Sequence, residues 1–217
     1  EGAGADQITV HLREDRRHIQ DRDVYALRER VKGGLNLEMA NAREILEIAL
    51  DVKPDEVCLV PEKREELTTE GGLDVVAQRA ALAESVRALH AGGIVVSLFV
   101  EPDRDQLAAS ADAGADYVEL HTGTFCNAGR EDAGRELDRL RAAAAFASQR
   151  GLKVNAGHGI NLDNVDDVLD VPNLDTLNIG HSIVARAVFV GLDAAVREMR
   201  GRMQAYGAAR PGGSAGE

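Results

Sequence analysis

Residues 8–19 read ITVHLREDRRHI, and they show the pattern from which we predict the fold. It opens with three β-branched residues, which is typical of a buried strand. Charged residues follow from Arg13 onward, and they cannot continue the strand into an apolar core because burying unpaired charge is costly. We therefore predict that a strand ends near Leu12 and presents His11 and the charges at its carboxyl edge.

The rest of the chain repeats this pattern of a short apolar run followed by a polar edge. Six further runs predict strands at residues 35–39, 56–60, 94–100, 117–121, 152–156 and 174–179. Segments rich in Ala, Leu, Glu and Arg predict helices at residues 24–31, 42–50, 75–90, 135–149 and 185–203. Strands that alternate with helices indicate βαβ units and a parallel sheet.

The number of strands indicates the fold class. We count roughly seven strands, and a closed (β/α)8 barrel has eight in about 250 residues. We therefore expect an α/β fold, a TIM (β/α)8 barrel whose first βα unit is absent from this chain, in one domain over residues 1–206. A disordered tail is expected at residues 207–217. The alternative, an open doubly wound sheet, usually carries a Gly-rich phosphate loop after its first strand, and none is found.

Charge, hydropathy and cysteine spacing exclude several classes of protein. The 217 residues carry a net charge of −12, which argues against a general nucleic-acid binder. No segment is apolar over the roughly 18 residues of a membrane span, and no signal-peptide pattern is found, so we expect a cytoplasmic protein. Cys58 and Cys126 have no metal-like spacing, and Cys58 is most simply a small core residue.

In a barrel, functional side chains project from the carboxyl ends of the strands. This rule selects His11, Arg13, Glu38, Glu62, Lys63, Arg64, Glu119, His121, Asn155, His158, Asn178 and His181. We interpret the charge run at residues 62–66 as a solvated loop. Residues 68–72, TTEGG, fit either a phosphate- or sugar-binding loop or an ordinary turn capped by a hydroxyl.

Three candidates have competing interpretations. Glu38 lies inside the apolar run LNLEM, where an inward-facing carboxylate would have the raised pKa that suits a general base; alternatively, it faces outward. His11 could instead be a histidine that contacts a backbone carbonyl. His90 is interpreted as a cation near the carboxyl end of a helix.

Two glycine-containing segments predict a phosphate site. In KVNAGHGI, residues 153–160, glycines flank His158 and allow backbone N–H groups to approach an anion. In NIGHS, residues 178–182, a strand leads through glycine to a helix expected near Ile183. Such loops form the phosphate site after strands seven and eight of many barrels. Ser182 is also compatible with a plain helix N-cap.

Seven segments together carry a family resemblance: ITVHLREDRRHI, NLEMA, CLVPEKR, TTEGGLDV, VSLF, KVNAGHG and LNIGHSI. In this order, over residues 3–203, they resemble the pyridoxine 5′-phosphate synthase family of deoxyxylulose-dependent vitamin B6 biosynthesis. The resemblance implies a TIM barrel that assembles into a homo-octamer. It also implies condensation of 3-amino-2-oxopropyl phosphate with 1-deoxy-D-xylulose 5-phosphate to give pyridoxine 5′-phosphate, phosphate and water, with no metal or redox cofactor.

The resemblance also implies residue roles by motif. The proton acceptors would be His11 and Glu38, the proton donor His158, and the stabiliser of charged intermediates Glu119. The deoxyxylulose phosphate would bind Arg13, His18 and Thr68; the aminooxopropyl phosphate would bind Gly159, Gly180 and His181. Members of the family also have an earlier strand with Asn, Asp and His near its end and an Arg-containing loop, and this sequence lacks that unit.

Two alternatives to a working synthase remain open at this point. One is another phosphate-binding barrel, such as an isomerase or aldolase, although Lys153 lies too early in its strand for a Schiff-base nucleophile. The other is a catalytically inactive, truncated barrel that serves as a structural subunit.

Overall fold

The computed structural model describes residues 1–62 and 71–209. All seven predicted strands are confirmed, with ends within one residue of the prediction. They are β1 (Gln7–His11), β2 (Gly34–Met39), β3 (Glu56–Leu59), β4 (Val95–Val100), β5 (Tyr117–His121), β6 (Lys153–Gly157) and β7 (Leu174–Asn178). Every pairing is parallel and joins neighbours in sequence, in the order β1 to β7.

Helices connect the strands. Within the described ranges they are α1 (Asp21–Arg30), α2 (Arg43–Val52), α3 (Val75–Ala91), α4 (Arg104–Ala113), α5 (Gly123–Cys126), α6 (Arg130–Gln149), α7 (Val165–Leu169), α8 (His181–Val190) and α9 (Leu192–Ala209). The prediction omitted α4, α5 and α7. The single helix predicted over residues 185–203 is wrong: Gly191, with φ of 85°, separates α8 from α9.

The boundary predicted for the tail also differs from the structure. Helix α9 continues to Ala209 and so includes the first three residues of the tail that was expected to start at residue 207. The remainder, residues 210–217, lies outside the described residues.

The sheet curls so that its first and last strands approach each other. A hydrogen bond of 3.1 Å joins Thr9 Oγ1 on β1 to Asn178 Oδ1 on β7. The fold class is therefore confirmed as an α/β barrel of the TIM type, with seven strands in the described residues where a closed (β/α)8 barrel has eight.

Strand β2 shows how the sequence separates the two faces of the sheet. Leu35, Leu37 and Met39 are fully buried in the apolar core. Asn36 and Glu38 alternate with them and face the opposite side, the barrel interior, because side chains along a strand point alternately to either face. The run LNLEM therefore places a carboxylate inside the barrel near the carboxyl end of β2.

The barrel interior is polar. Its buried residues include Asn36, Glu56, Ser97 and Asn155, and Asn155 Nδ2 donates to Glu56 Oε1 at 3.2 Å. Cys58 is fully buried, as expected.

No helix in the described ranges is both long enough and apolar enough to cross a membrane.

Candidate active site

His11 lies between two carboxylates at the carboxyl ends of the strands. Its Nε2 is 2.8 Å from Glu62 Oε1, and its Nδ1 is 3.8 Å from Glu38 Oε2. Glu62 also accepts a hydrogen bond from the backbone N–H of Glu14. Since a carboxylate can only accept, this geometry assigns the proton to Nε2 and leaves the Nδ1 lone pair facing Glu38.

The placement of Glu62 corrects one interpretation. Its side chain is only 6% exposed and contacts His11, so the expectation of a solvated loop is wrong for this residue. The reason is that Glu62 follows β3 closely enough to reach the edge of the barrel. Residues 63–66 of the same charge run, and Thr68, lie outside the described residues.

Two inward carboxyl groups, those of Glu38 and Glu119, have raised pKa values. Burial raises the pKa of Glu38, and the nearby His11 opposes that shift. Burial is also the main cause that raises the pKa of Glu119 to about 8, with further contributions from the charges of Glu38 and Glu56. A quarter of the Glu38 side chain is accessible, so this carboxyl can meet a ligand in the barrel mouth.

The carboxyl group of Glu119 is in close contact with residues from three other strands. Asn178 Nδ2 donates to Glu119 Oε2 at 2.6 Å, and this bond opposes the rise in its pKa. Cys58 Sγ lies 3.8 Å from the same oxygen. Gly157, at the end of β6, faces Glu119 so closely that a Cβ there would lie 2.1 Å from Oε1. Glycine at this position therefore allows the carboxyl group to lie beside the loop that carries His158.

The loop of His158 has an unusual backbone, and Thr122, the residue that follows β5, holds it in place. Both His158 and Gly159 have φ of 81°, a left-handed conformation that His rarely adopts. The buried Thr122 hydroxyl lies 2.7 Å from the carbonyl of Gly157 and 2.6 Å from that of His158. A Cβ on Gly159 would lie 2.8 Å from Cys126 Cβ, so this glycine is also required by close packing.

A hydrogen bond joins the two loops that were predicted to bind phosphate. Gly180 is the N-cap residue of α8, and His181 is the exposed first residue of the helix. The Ser182 hydroxyl donates to the carbonyl of Ile160 at 2.7 Å, which joins this loop to the one that follows β6. The N-cap interpretation of Ser182 is therefore wrong, because the helix begins two residues earlier than expected. A cavity of about 540 Å³ lies beside His181 and Ser182.

Other predicted residues occupy different positions. Arg13 is buried, with Nε 3.4 Å from Asp15 Oδ1, whereas His18 is exposed on the loop before α1. His90 lies at the end of α3, as expected, and its Nε2 is 2.8 Å from Asp116 Oδ2. Lys153 begins β6 and therefore lies at the opposite end of the strand from His158, which removes it as a candidate Schiff-base nucleophile.

The structure also reveals residues whose importance was missed. Glu101 contacts His121 at 2.6 Å, and Thr122 holds the His158 loop. Both residues directly follow predicted strands, and this position at a strand end could have identified them as candidates.

Within residues 1–62 and 71–209, no cluster of His, Cys, Asp and Glu is suited to hold a metal ion.

Comparisons with known proteins show which family the sequence resembles. The family described as "Pyridoxal phosphate biosynthesis protein PdxJ" matches residues 1–205. Pyridoxine 5′-phosphate synthase from Synechococcus sp. (strain JA-2-3B'a(2-13)) is 59% identical over 202 residues, which cover 93% of this chain and 84% of the relative. The Geobacter sulfurreducens enzyme of the same name is 58% identical, with coverage of 92% and 84%.

A solved structure supports the fold alone. The crystal structure of KGPDC from Streptococcus mutans superposes with a TM-score of 0.66 over 93% of this chain and 86% of that chain. The sequence identity is 11%, so the likeness is one of barrel architecture.

Proposed function

The chain belongs to the PdxJ family of pyridoxal phosphate biosynthesis proteins, and from this membership we propose that it is a pyridoxine 5′-phosphate synthase. The reaction condenses 3-amino-2-oxopropyl phosphate with 1-deoxy-D-xylulose 5-phosphate and releases pyridoxine 5′-phosphate, phosphate and water. The observation that carries the proposal is the family match over residues 1–205. The acid–base cluster at the carboxyl ends of the strands is the chemistry such a condensation needs.

Ring formation from an amine and two carbonyl compounds requires repeated removal of protons. We assign His11 and Glu38 as the proton acceptors. The Nδ1 lone pair of His11 faces Glu38, and the raised pKa of Glu38 makes it a stronger base than an exposed glutamate. Glu62 positions the His11 ring from the opposite side.

Glu119 is assigned as the group that stabilises charged intermediates. Condensation of an amine with a carbonyl compound places positive charge on nitrogen. With a pKa of about 8, Glu119 is largely protonated at neutral pH and can ionise when such a charge forms beside it. Asn178 holds the carboxyl in place by a hydrogen bond of 2.6 Å.

His158 is assigned as the proton donor, since dehydration requires a proton to reach each hydroxyl that leaves as water. We propose that Gly159, Gly180 and His181 bind the aminooxopropyl phosphate, on loops joined by Ser182. The deoxyxylulose phosphate is assigned to the remaining family positions, Arg13, His18 and Thr68. A guanidinium such as that of Arg13 offers paired donors to phosphate oxygens.

We further propose a homo-octamer in the cytoplasm that acts on phosphorylated small molecules and binds neither nucleic acid nor a membrane. Helix α8 supports self-association because Val188 and Phe189 are 79% and 85% exposed. Apolar side chains exposed next to each other are typical of protein interfaces. Light scattering of the purified protein would give the mass of the assembly.

The decisive experiment is to incubate the purified full-length protein with both phosphorylated substrates. We expect pyridoxine 5′-phosphate, identified by mass spectrometry, and one phosphate released per product. Each substrate alone should give no product. A folded protein that forms none with both substrates would contradict the proposed function.

A further inference from the structure

A second histidine–carboxylate pair lies beside His158 and has no role in the account above. His121 ends β5, and its Nδ1 is 2.6 Å from Oε1 of Glu101, which follows β4. Glu101 also accepts from the Gly72 N–H at 3.2 Å and lies 3.7 Å from the Arg139 guanidinium. The hydrogen bond from His121 is the main cause that lowers the pKa of Glu101, so this group is ionised at neutral pH.

The contact with Glu101 determines which nitrogen of His121 is available. A carboxylate can only accept a hydrogen bond, so the proton lies on Nδ1 and the lone pair on Nε2. In catalytic triads a carboxylate holds the histidine in one tautomer and orientation by the same kind of contact. Edge contacts restrain the ring further: its centroid is 5.3 Å from that of Phe99 and 4.9 Å from that of His158.

The His121 side chain is one of the groups that line a small cavity. The side chain is 9% exposed, and Nε2 has no hydrogen-bond partner in the described parts of the chain. A buried polar atom without a partner is unfavourable, because it has lost the hydrogen bonds that water would supply. The cavity has a volume of about 250 Å³ and is lined by His121, Gly123, Thr124, Asn127 and His158.

Gly123 shows that the two imidazoles meet in this space. A Cβ at position 123 would lie 2.4 Å from His121 Nε2 and 2.9 Å from His158 Cδ2. The absence of a side chain at Gly123 therefore leaves room for both rings beside each other.

We propose that His121, held by Glu101, is a further proton-transfer residue of this site. The inference rests on the proposed function, because formation of the pyridine ring in that reaction requires protons to be removed from the intermediates and transferred. A C–H proton of the bound intermediate passes to Nε2, and the electron pair of the broken bond stays on the intermediate. The Glu101 carboxylate balances the imidazolium that forms. The proton then passes from Nε2 to a hydroxyl, whose bond to carbon breaks so that it leaves as water.

The test compares His121→Ala with wild type. We expect kcat to fall about 100-fold, as for loss of a general acid–base group, with both KM values within about threefold. Added imidazole, pyrazole and 1,2,4-triazole have similar size but different basicity. The rate that they restore should increase with their basicity, because proton transfer depends on basicity and cavity filling does not.

His90→Ala is the matched control. His90 also pairs with a carboxylate, Asp116, at 2.8 Å, but it lies exposed at the end of α3. We expect this variant to keep the wild-type rate. Glu101→Gln provides a second route if His121→Ala fails to fold: its kcat should fall, and Glu101→Asp should recover part of the loss.

The outcomes separate this inference from the proposed function. A wild-type protein that forms no product contradicts the proposed function and this inference together. An active wild type with a fully active His121→Ala variant contradicts the inference alone. Equal rescue by all three azoles would assign His121 a structural role and also overturn it, as would a Glu101→Gln variant with an unchanged kcat.

Discussion

Glu38 and His11 occupy paired positions on neighbouring strands, with Glu38 Oε2 3.8 Å from His11 Nδ1. The register of β1 against β2 sets this relationship, so the backbone of the barrel holds the two groups together. Glu62 contacts the other ring nitrogen at 2.8 Å. His11 is therefore oriented from one side while its free lone pair faces Glu38.

Glu38→Gln should abolish turnover while substrate binding stays largely intact. The amide keeps the size of the side chain but cannot accept a proton, so we expect kcat to fall by a factor of about 100 or more with little change in KM. Steady-state kinetics measures both constants. Glu47→Gln, on the exposed face of α2, is the matched control. A normal rate for Glu38→Gln would remove this residue from the mechanism.

Glu119→Gln should change how stability depends on pH. The pKa of Glu119 is raised from 4.5 to about 8, so between these values the folded protein holds a proton that the unfolded chain has lost. The free energy of unfolding of the wild type therefore falls as pH rises through this window. The variant has no ionisable group at this position, so its free energy of unfolding does not fall for this reason. The free energy of unfolding of the variant minus that of the wild type, measured by urea unfolding, should therefore increase from pH 6 to pH 9.

A residue with the opposite shift provides the control for this experiment. Hydrogen bonds from Gln106 and from the Ala77 N–H lower the pKa of Asp74. Its contribution is lost only in acid, so Asp74→Asn should differ from wild type by a constant amount between pH 6 and pH 9. If Glu119→Gln also shows a constant difference, the raised pKa of Glu119 is contradicted.

His181→Ala should weaken substrate binding more than it slows chemistry. The side chain lies at the first residue of α8, where the account places one phosphate. We expect KM for 3-amino-2-oxopropyl phosphate to rise about tenfold, equivalent to about 1.4 kcal/mol, with kcat within about threefold. KM for 1-deoxy-D-xylulose 5-phosphate serves as the internal control. An unchanged KM for the aminooxopropyl phosphate would argue against this placement.

Gly123→Ala should slow the reaction by displacing imidazoles. The added methyl group would overlap His121 Nε2 and crowd His158, so we expect kcat to fall at least about tenfold. Gly134→Ala in α6 is the control, since nothing lies within 4 Å of a Cβ there. That change should stabilise the helix by about 0.5–1 kcal/mol without affecting kcat. Equal kcat values for the two variants would show that the activity does not depend on the space that Gly123 leaves for the His121 and His158 imidazoles.

The strand pattern could be predicted because apolar runs and polar edges are local properties of the sequence. Alternation within LNLEM showed that Glu38 faces the side opposite to its apolar neighbours, but whether that side is the barrel interior was left open until the structure placed it there. The short helices α5 and α7 were missed because four or five residues carry too little periodicity to stand out. The division of the last helix at Gly191 depends on a single positive φ, which a helical pattern on both sides conceals.

Contacts between distant segments could not be predicted. Glu62 belongs to a charge run that is typical of a solvated loop, and only the tertiary structure brings it to His11. Glu101 and His121 end neighbouring strands, but their hydrogen bond depends on side-chain rotamers. The pKa of Glu119 likewise reflects burial and the charges of residues on other strands. Local pattern therefore identified the edge of the barrel but not the network within it.

The most direct test of the account is a crystal structure of the full-length protein with 1-deoxy-D-xylulose 5-phosphate bound. The central claim is that imidazoles and carboxylates from separate strands act on one substrate at the carboxyl end of the barrel. We predict that the carbon skeleton of the ligand lies within about 3.5 Å of His11, Glu38 or His158, with its phosphate on the surrounding loops. A ligand bound away from all three side chains would contradict the claim.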